Sequence, residues 1–454
     1  MSSLYGKLFD NVVLMYYSDK LTTSELQFGF KAKSSTSQCT FVLKESLAYY
    51  TNNNSPVYCS FLDATKAFDR VNYSKLFRLL IKRNLPLLLV RIMLNFYISN
   101  FVRVSWCGYF SEYFLATNGV KQGGVLSPVL FCVYLDELLH ALSQAKVGCY
   151  IGDIFVGALA YADDLVLTAP SANALRKMLT ICDAYASDYF MNFNAQKSKC
   201  MIVLPRSRRL LVPLLSECVF KIGGTRMEIV SSYCHLGHII CSSLSDEQDI
   251  LHRRSAFIGQ VNSVLCFFGK LPSVVKARLF HSYCTSFYGC VLWDLSCDAV
   301  GTFCTAWRKS IRRVWNLPNQ AHGYLLSLIC GCLPVYDEIC LRSVNFVRSC
   351  INNKSTLVKS VARYGIFCSR FSSPAGRNML CCAQRYSCAV EDLLFNHTVR
   401  NVVASYVEQH LSYEQIQTAA LLQECLLIRD GLVHLPDVFT VSDMHVFIRY
   451  LCTC

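Results

Sequence analysis

Apolar and polar residues along this chain repeat at two periods, and the changes of period mark its elements. Val57 to Leu62 is a near-continuous apolar run of strand length that stops at a carboxylate, Asp63, and a turn. Ala158 to Ala160 and Leu165 to Leu167 are two further short apolar runs. They predict a β-hairpin with the acidic pair Asp163-Asp164 at its bend. Between and beyond these strands the spacing turns helical. Ala172 to Tyr189 brings Leu175, Met178, Leu179, Cys182 and Tyr185 onto one face. Asn72 caps a predicted helix from Tyr73 to about Arg83, and Pro86 begins another. Ser127 and Pro128, in cap and first-turn positions, start a helix through Phe131, Leu135 and Leu138 to about Leu142. A helical pattern through Phe41, Leu43 and Leu47 follows an N-cap at Ser35 or Thr36. Cys200 to Leu204 reads as a strand, and Tyr233 to Ile240 as a strand and tight turn. From about Asp246 onward the pattern is helical.

Composition narrows the class. A length of 454 residues suggests two or three units, and 53% apolar residues support a large core rather than disorder. The formal net charge of +13 points to a polyanionic partner, nucleic acid before membrane, with ordinary solubilising charge as the alternative. The 26 cysteines are scattered, several in apolar runs (Cys132, Cys266, Cys284, Cys290), and no secretory segment opens the chain. They read as reduced, mostly buried thiols of an intracellular protein. Cys381, Cys382 and Cys388 lack the CxxC spacing of a zinc site. The longest apolar run, Leu85 to Val102, is broken by Arg91 and Asn95, so no membrane span is expected.

Several positions carry candidate chemistry. Adjoining carboxylates on an apolar support repel each other and lose solvation, a cost that a bound cation removes; a solvated turn is the other reading of Asp163-Asp164. Asp63 ends a strand, where open sheets place chemistry. Asp69 either caps the following helix or pairs with a nearby base. In Asn118 to Pro128 the glycines let backbone approach a ligand closely. Gln122 there faces a substrate or is a loop amide bonded to backbone. Lys31 and Lys33, among small hydroxyls, suit phosphate contact. Trp307, Ile311, Val314 and Trp315 form an apolar stripe, while Arg308/Arg312 and Lys309/Arg313 at i,i+4 form a basic face. Like charges at that spacing cost a few tenths of a kcal/mol each, which a phosphate backbone offsets; a solvated face is the alternative. Arg206, Arg208 and Arg209 lie in a loop. His235 and His238 read as structural.

Three blocks then carry a resemblance. Phe61-Leu62-Asp63-Ala64-Thr65-Lys66-Ala67-Phe68-Asp69, Gly119-Val120-Lys121-Gln122-Gly123 with Ser127-Pro128, and Tyr161-Ala162-Asp163-Asp164 come in the order of the palm motifs of reverse transcriptases. They most resemble those of LINE-type, non-LTR retrotransposons. Gln27-Phe28-Gly29-Phe30 resembles the family's finger motif near the template, and Asn194 to Lys197 the motif whose lysine lies near departing pyrophosphate. Tyr233 to Gly237 resembles the primer-holding turn, and Trp307 to Pro318 the basic segment after the thumb.

The resemblance implies an α+β fold. A right-hand polymerase palm, an antiparallel sheet with helices, occupies 1–245 with partial fingers. A helical thumb and basic helix follow over 246–325, then a helical C-terminal region over 326–454 of unassigned role. It implies an RNA-directed DNA polymerase that uses two Mg²⁺ ions, with Mn²⁺ as substitute, held by Asp63, Asp163, Asp164 and the Ala64 carbonyl. Phe68 is implied to lie under the sugar and crowd a 2′-hydroxyl. Gln122 and Gly123 contact the nucleotide, and Lys197 is the general acid for pyrophosphate. Lys31, Lys33, Arg308, Lys309, Arg312 and Arg313 contact nucleic acid. The implied partners are an RNA template, a DNA primer and dNTPs, with no membrane, in the nucleus or cytoplasm. The upstream finger motif that clamps the triphosphate and the family's nuclease domain are missing from the sequence, which therefore reads as an N-terminally truncated member. A catalytically impaired nucleic-acid-binding relic is the alternative, and an RNA-dependent RNA polymerase on the same palm a third.

Overall fold

A strand with apolar side chains on both faces has to lie inside a sheet that is covered on both faces. Strand β1, Val57–Leu62, is buried along its whole length and occupies the middle position of a five-stranded sheet. This is seen in a computed structural model that describes residues 4–205, 207, 218–319, 321, 323, 326, 332–395, 399–410 and 415. The other strands are β2 (Ala158–Tyr161), β3 (Asp164–Ala169), β4 (Lys199–Val203) and β5 (Glu228–Ile229). Their order is β5-β4-β1-β3-β2, antiparallel throughout except for the β4–β5 pair. The predicted strand and hairpin are both present.

Helices α1 (Thr36–Asn52) and α2 (Ser127–Gln144) pack on β2, while α3 (Ala172–Asp188) packs on β1, β3 and α2. Helix α3 buries Leu175, Met178, Leu179, Cys182 and Tyr185, the face its spacing predicts. Ser35 caps α1 by accepting from the Gln38 N–H. Asn72 caps Tyr73–Lys82 by accepting from the Lys75 N–H at 3.1 Å. Ser127 is a correction: Leu126 holds the cap position of α2, and the Ser127 hydroxyl instead donates to the Lys121 carbonyl at 2.6 Å. The side chain thus secures the preceding loop rather than the helix end.

The chain divides into two compact units. The first comprises Met1–Leu236, Cys241–Leu244 and Asn353–Val361; the second comprises Gly237–Ile240, Ser245–Asn352 and Ala362–Cys454. The short Asn353–Val361 return has a local cause. The Glu25 carboxylate accepts from the Thr356 and Leu357 N–H groups at 2.8 and 2.7 Å, where helix Thr356–Arg363 begins.

Apart from the strand residues His238 to Ile240, the regular elements of the second unit's described residues are helices. Helix α4 (Glu247–Phe268) packs on α5 (Asp298–Val314) around Phe257, Phe280, Phe287, Trp293 and Phe303. Helices α6 (Val335–Ile351) and α7 (Pro374–Arg385) extend it. Buried Asp337 accepts from Arg385 and from the Tyr386 hydroxyl at 2.7 and 2.9 Å. His238 is buried against Asp249, its Nδ1 3.2 Å from a carboxylate oxygen. Most of the predicted apolar-run thiols are buried, but Cys266 is exposed on α4. Arg206, Arg208 and Arg209 lie outside the described residues. Among those residues, no helix is long and apolar enough to cross a membrane.

Candidate active site

Tyr161 pairs with Asp164, so β2 passes into β3 through Ala162 and Asp163 alone. Ala162 takes a left-handed φ of 57°, as the first loop position of a tight hairpin requires. The bend is therefore Ala162-Asp163, and Asp164 is the first residue of β3. On the other flank of β3, Leu62 of β1 stands opposite Leu165. Asp63, one residue beyond, leaves the sheet at the end where Asp164 begins. Register alone thus brings the three aspartates to one end of two adjacent strands.

The carboxylates feel one another. Burial, then the charges of Asp163 and Asp63, raise the Asp164 carboxyl above its ordinary range. Burial also raises Asp163, with Asp63 adding to the rise and a backbone N–H opposing it. Tyr233 stands in the same field: its ring stacks on Phe61 at 4.4 Å, and burial, then Asp164 and Asp63, push its hydroxyl up. Oxygen-only donors that repel one another suit a hard divalent cation. Among the described residues, no three His, Cys, Asp or Glu side chains converge closely enough to hold an ion as they stand.

A second loop is strapped to Asp63. The Asp63 N–H donates to the Ser198 hydroxyl at 3.0 Å, and the Asp63 carbonyl accepts from the Asn194 N–H at 2.8 Å. Ala64 bridges to Phe193, and the Thr65 N–H donates to the Asn192 carbonyl at 2.8 Å. Asn194 shapes the turn by accepting from the Gln196 and Lys197 N–H groups. Exposed Lys197 therefore sits on the loop that holds the first aspartate.

A cavity of about 410 Å³ adjoins Asp163, lined among others by Lys66, Phe68, Asp69, Gln122 and Gly123. The Phe68 ring stacks on Phe131 at 4.3 Å and meets Phe30 edge-on at 6.3 Å. Gly119 explains how the loop comes so close. Its φ is +86°, and a Cβ there would lie 2.9 Å from the Asp69 backbone. Across this contact the Gln122 amide donates to the Asp69 carboxylate at 3.1 Å. Two expectations are corrected here. Among the described residues, Asp69 neither caps the next helix, which Asn72 does, nor pairs with a base; and the Gln122 amide is held by a side chain, not by backbone.

The expected nucleic-acid contacts fare unevenly. Lys31 is turned inward: its ammonium donates to the Thr23 and Ser24 carbonyls at 2.9 and 2.5 Å, and burial lowers its pKa. Lys33 is exposed. On α5 the apolar stripe is buried as expected. On the basic face Arg312 donates to the Ala321 carbonyl, while Arg313, exposed, donates to Asn262 and Arg308 to Thr305. Lys309 is exposed. Gln27, which the sequence offers only as part of a finger-motif resemblance near the template, has a different contact. Gln27 is 1% exposed, and its side chain binds the backbone of Ala162.

A central strand and its neighbouring hairpin, presenting carboxylates at one end beside an aromatic- and glycine-lined cavity, make the palm of a right-hand nucleic acid polymerase. That is the class of this chain. Residues 6–240, more than half of it, match the family model for reverse transcriptase (RNA-dependent DNA polymerase), and the chain belongs to that family. Enzymes of this family use divalent metal ions.

The chain is 34% identical over 140 residues to the Pol polyprotein of the type-2 retrotransposable element R2DM of Drosophila melanogaster, covering 31% of this chain and 13% of that one. It is 26% identical over 346 residues to a probable RNA-directed DNA polymerase from the X-element of the same species, covering 73% and 35%. To the RNA-directed DNA polymerase of the element jockey from Drosophila funebris it is 25% identical, covering 61% and 30%. The chain thus spans about a third or less of the length of these curated relatives. A solved structure of apo telomerase from Candida tropicalis is similar at a TM-score of 0.38 and 12% identity, over 89% of this chain and 60% of that one. A likeness at that level carries no argument.

Proposed function

We propose that this chain is an RNA-directed DNA polymerase core that transfers deoxynucleotides to a primer 3′-hydroxyl on an RNA template. The observation that carries this reading is the strand register, Leu62 opposite Leu165 and Tyr161 opposite Asp164, which sets Asp63 beside Asp163 and Asp164. We assign these three carboxylates, with the Ala64 carbonyl, to hold two Mg²⁺ ions, for which Mn²⁺ can substitute. When bound, such ions activate the attacking hydroxyl and stabilise charge on the leaving group. The remaining work falls to the chain itself. Phe68, backed by Phe131, forms the floor of the nucleotide pocket and disfavours a 2′-hydroxyl by crowding. Gln122, oriented by Asp69, and the Gly123 backbone face the nucleotide. Lys197, carried on the loop bonded to Asp63, donates a proton to departing pyrophosphate. Lys33 and Lys309 contact the nucleic acid backbone. The reaction belongs inside the cell, in the nucleus or cytoplasm, where the thiols stay reduced.

Primer extension on an RNA template with Mg²⁺ tests this. Wild type is expected to incorporate dNTPs, and Asp163→Asn to lose at least 100-fold (~3 kcal/mol of barrier). Equal incorporation by the two proteins removes the acidic site from the mechanism. Salt-sensitive RNA binding without extension identifies a binding relic instead. Preference for ribonucleotides identifies an RNA polymerase.

A further inference from the structure

The turn that carries Asp163 and Asp164 has a seat, and that seat is Gln27. The Gln27 Oε1 accepts from the Ala162 N–H at 2.9 Å and from the Gly29 N–H at 2.8 Å. Its Nε2 donates to the Ala162 carbonyl at 3.3 Å. One amide thus binds both sides of Ala162, the residue strained into the left-handed region at φ 57°. Backbone bonds flank the clamp: the Phe28 N–H donates to the Ala160 carbonyl at 2.7 Å, and the Ala160 N–H to the Leu26 carbonyl at 2.8 Å. Gly29 completes the seat by its lack of a side chain, since a Cβ there would lie 2.4 Å from the Ala162 nitrogen. The side chain of Gln27 touches no aspartate in these contacts; it acts on the backbone between β2 and Asp163.

We infer that Gln27 is a positioning residue, which fixes the Ala162-Asp163 bend so that Asp163 and Asp164 are aimed at bound divalent cations. The like charges of Asp163 on the two-residue loop and Asp164 just after it relax away from each other where the loop is unsupported. An amide bonded to both sides of that loop resists this at no cost in charge. Its neutrality matters here, because a cation in its place would compete with the metal and an ionised acid would add to the repulsion. The inference rests on the reading of Asp163 and Asp164 as metal-holding residues.

The test is Gln27→Met, nearly isosteric and unable to make these bonds, read by primer extension and by Mn²⁺ binding in electron paramagnetic resonance. The expected result is a kcat at least 10-fold lower, a KM for dNTP changed less than twofold, and Mn²⁺ binding at least threefold weaker, in a protein whose circular dichroism matches wild type. Gln27→Glu keeps the oxygen that accepts from Gly29 and Ala162 but loses the Nε2 donor and adds a negative charge, and is also expected to lose kcat at neutral pH. Wild-type kcat and Mn²⁺ affinity in Gln27→Met overturn the inference, as does a Gln27→Glu protein with wild-type kcat at neutral pH. If Gln27→Met does not fold, Gly29→Ala, which presses on the same turn from the other side, takes its place with the same expected losses. Mn²⁺ bound by wild type but not by Asp163→Asn, without extension, removes the polymerase reading, and the Mn²⁺ affinity of the Gln27 variants then decides the inference alone. A wild type that binds no Mn²⁺ removes both.

Discussion

At Asp163, charge, burial and a strained neighbour act on one side chain. Burial first, and the Asp63 charge after it, hold its carboxyl above the ordinary 3.8 in the folded chain. The unfolded chain therefore gives up this proton at lower pH than the folded one. Ionisation weakens folding as pH rises from the ordinary value through the raised one; the penalty is full above that interval and absent below it. Asp163→Asn, the change proposed above to impair extension, is thus expected to raise Tm at neutral pH in chelator-treated buffer. That gain should vanish below ~pH 3, where both states of the wild-type group are protonated. Adding Mg²⁺ is expected to raise the Tm of wild type more than that of the variant. Thermal melts across pH decide it: a gain that persists unchanged in acid has some other origin.

Among the elements, the loop from Gly119 to Gly124 shows how a backbone contact sets a binding cavity. The Gly119 N–H donates to the Val71 carbonyl and the Val120 N–H to the Phe68 carbonyl, each at 2.9 Å, so the loop lies flat on the segment after β1. Gly108 and Gly119 share a φ of 86°, but a Cβ on Gly108 would meet nothing within 4 Å, whereas one on Gly119 would strike Asp69. Gly119→Ala is therefore expected to cost more than about 1 kcal/mol, and more than Gly108→Ala, which pays only the conformational part. It is also expected to raise KM for dNTP by moving Gln122 off Asp69. Denaturant melts of the two variants check the first expectation and extension kinetics the second. Equal costs would remove the Asp69 contact as the reason for this glycine. The basic segment of α5 teaches a different lesson, because i,i+4 spacing brings like charges together on a helix without saying whether solvent or protein receives them.

Across the whole molecule, the cysteines divide by burial. Cys132, Cys149 and Cys200 are buried, and desolvation pushes their thiols up to about 12. Cys107, Cys234, Cys266 and Cys368 are exposed. Alkylation of the native protein at ~pH 8, near the ordinary thiol range, followed by peptide mapping, is expected to modify these four first and spare the buried ones until unfolding. Rapid modification of Cys200 would place β4 outside the sheet interior. The sequence by itself determined the strand Val57–Leu62, the hairpin before and after Asp163 and the buried face of α3. Each of these rests on spacing within one element, where the period of the backbone dictates which side chains share a face. Only the tertiary structure decided that Gln122 meets Asp69, 53 residues away, and that Gln27 holds Ala162 across 135. It alone turned Lys31 inward and paired Arg312 with the Ala321 carbonyl. Such partners are chosen by strand register and packing, which no local repeat encodes.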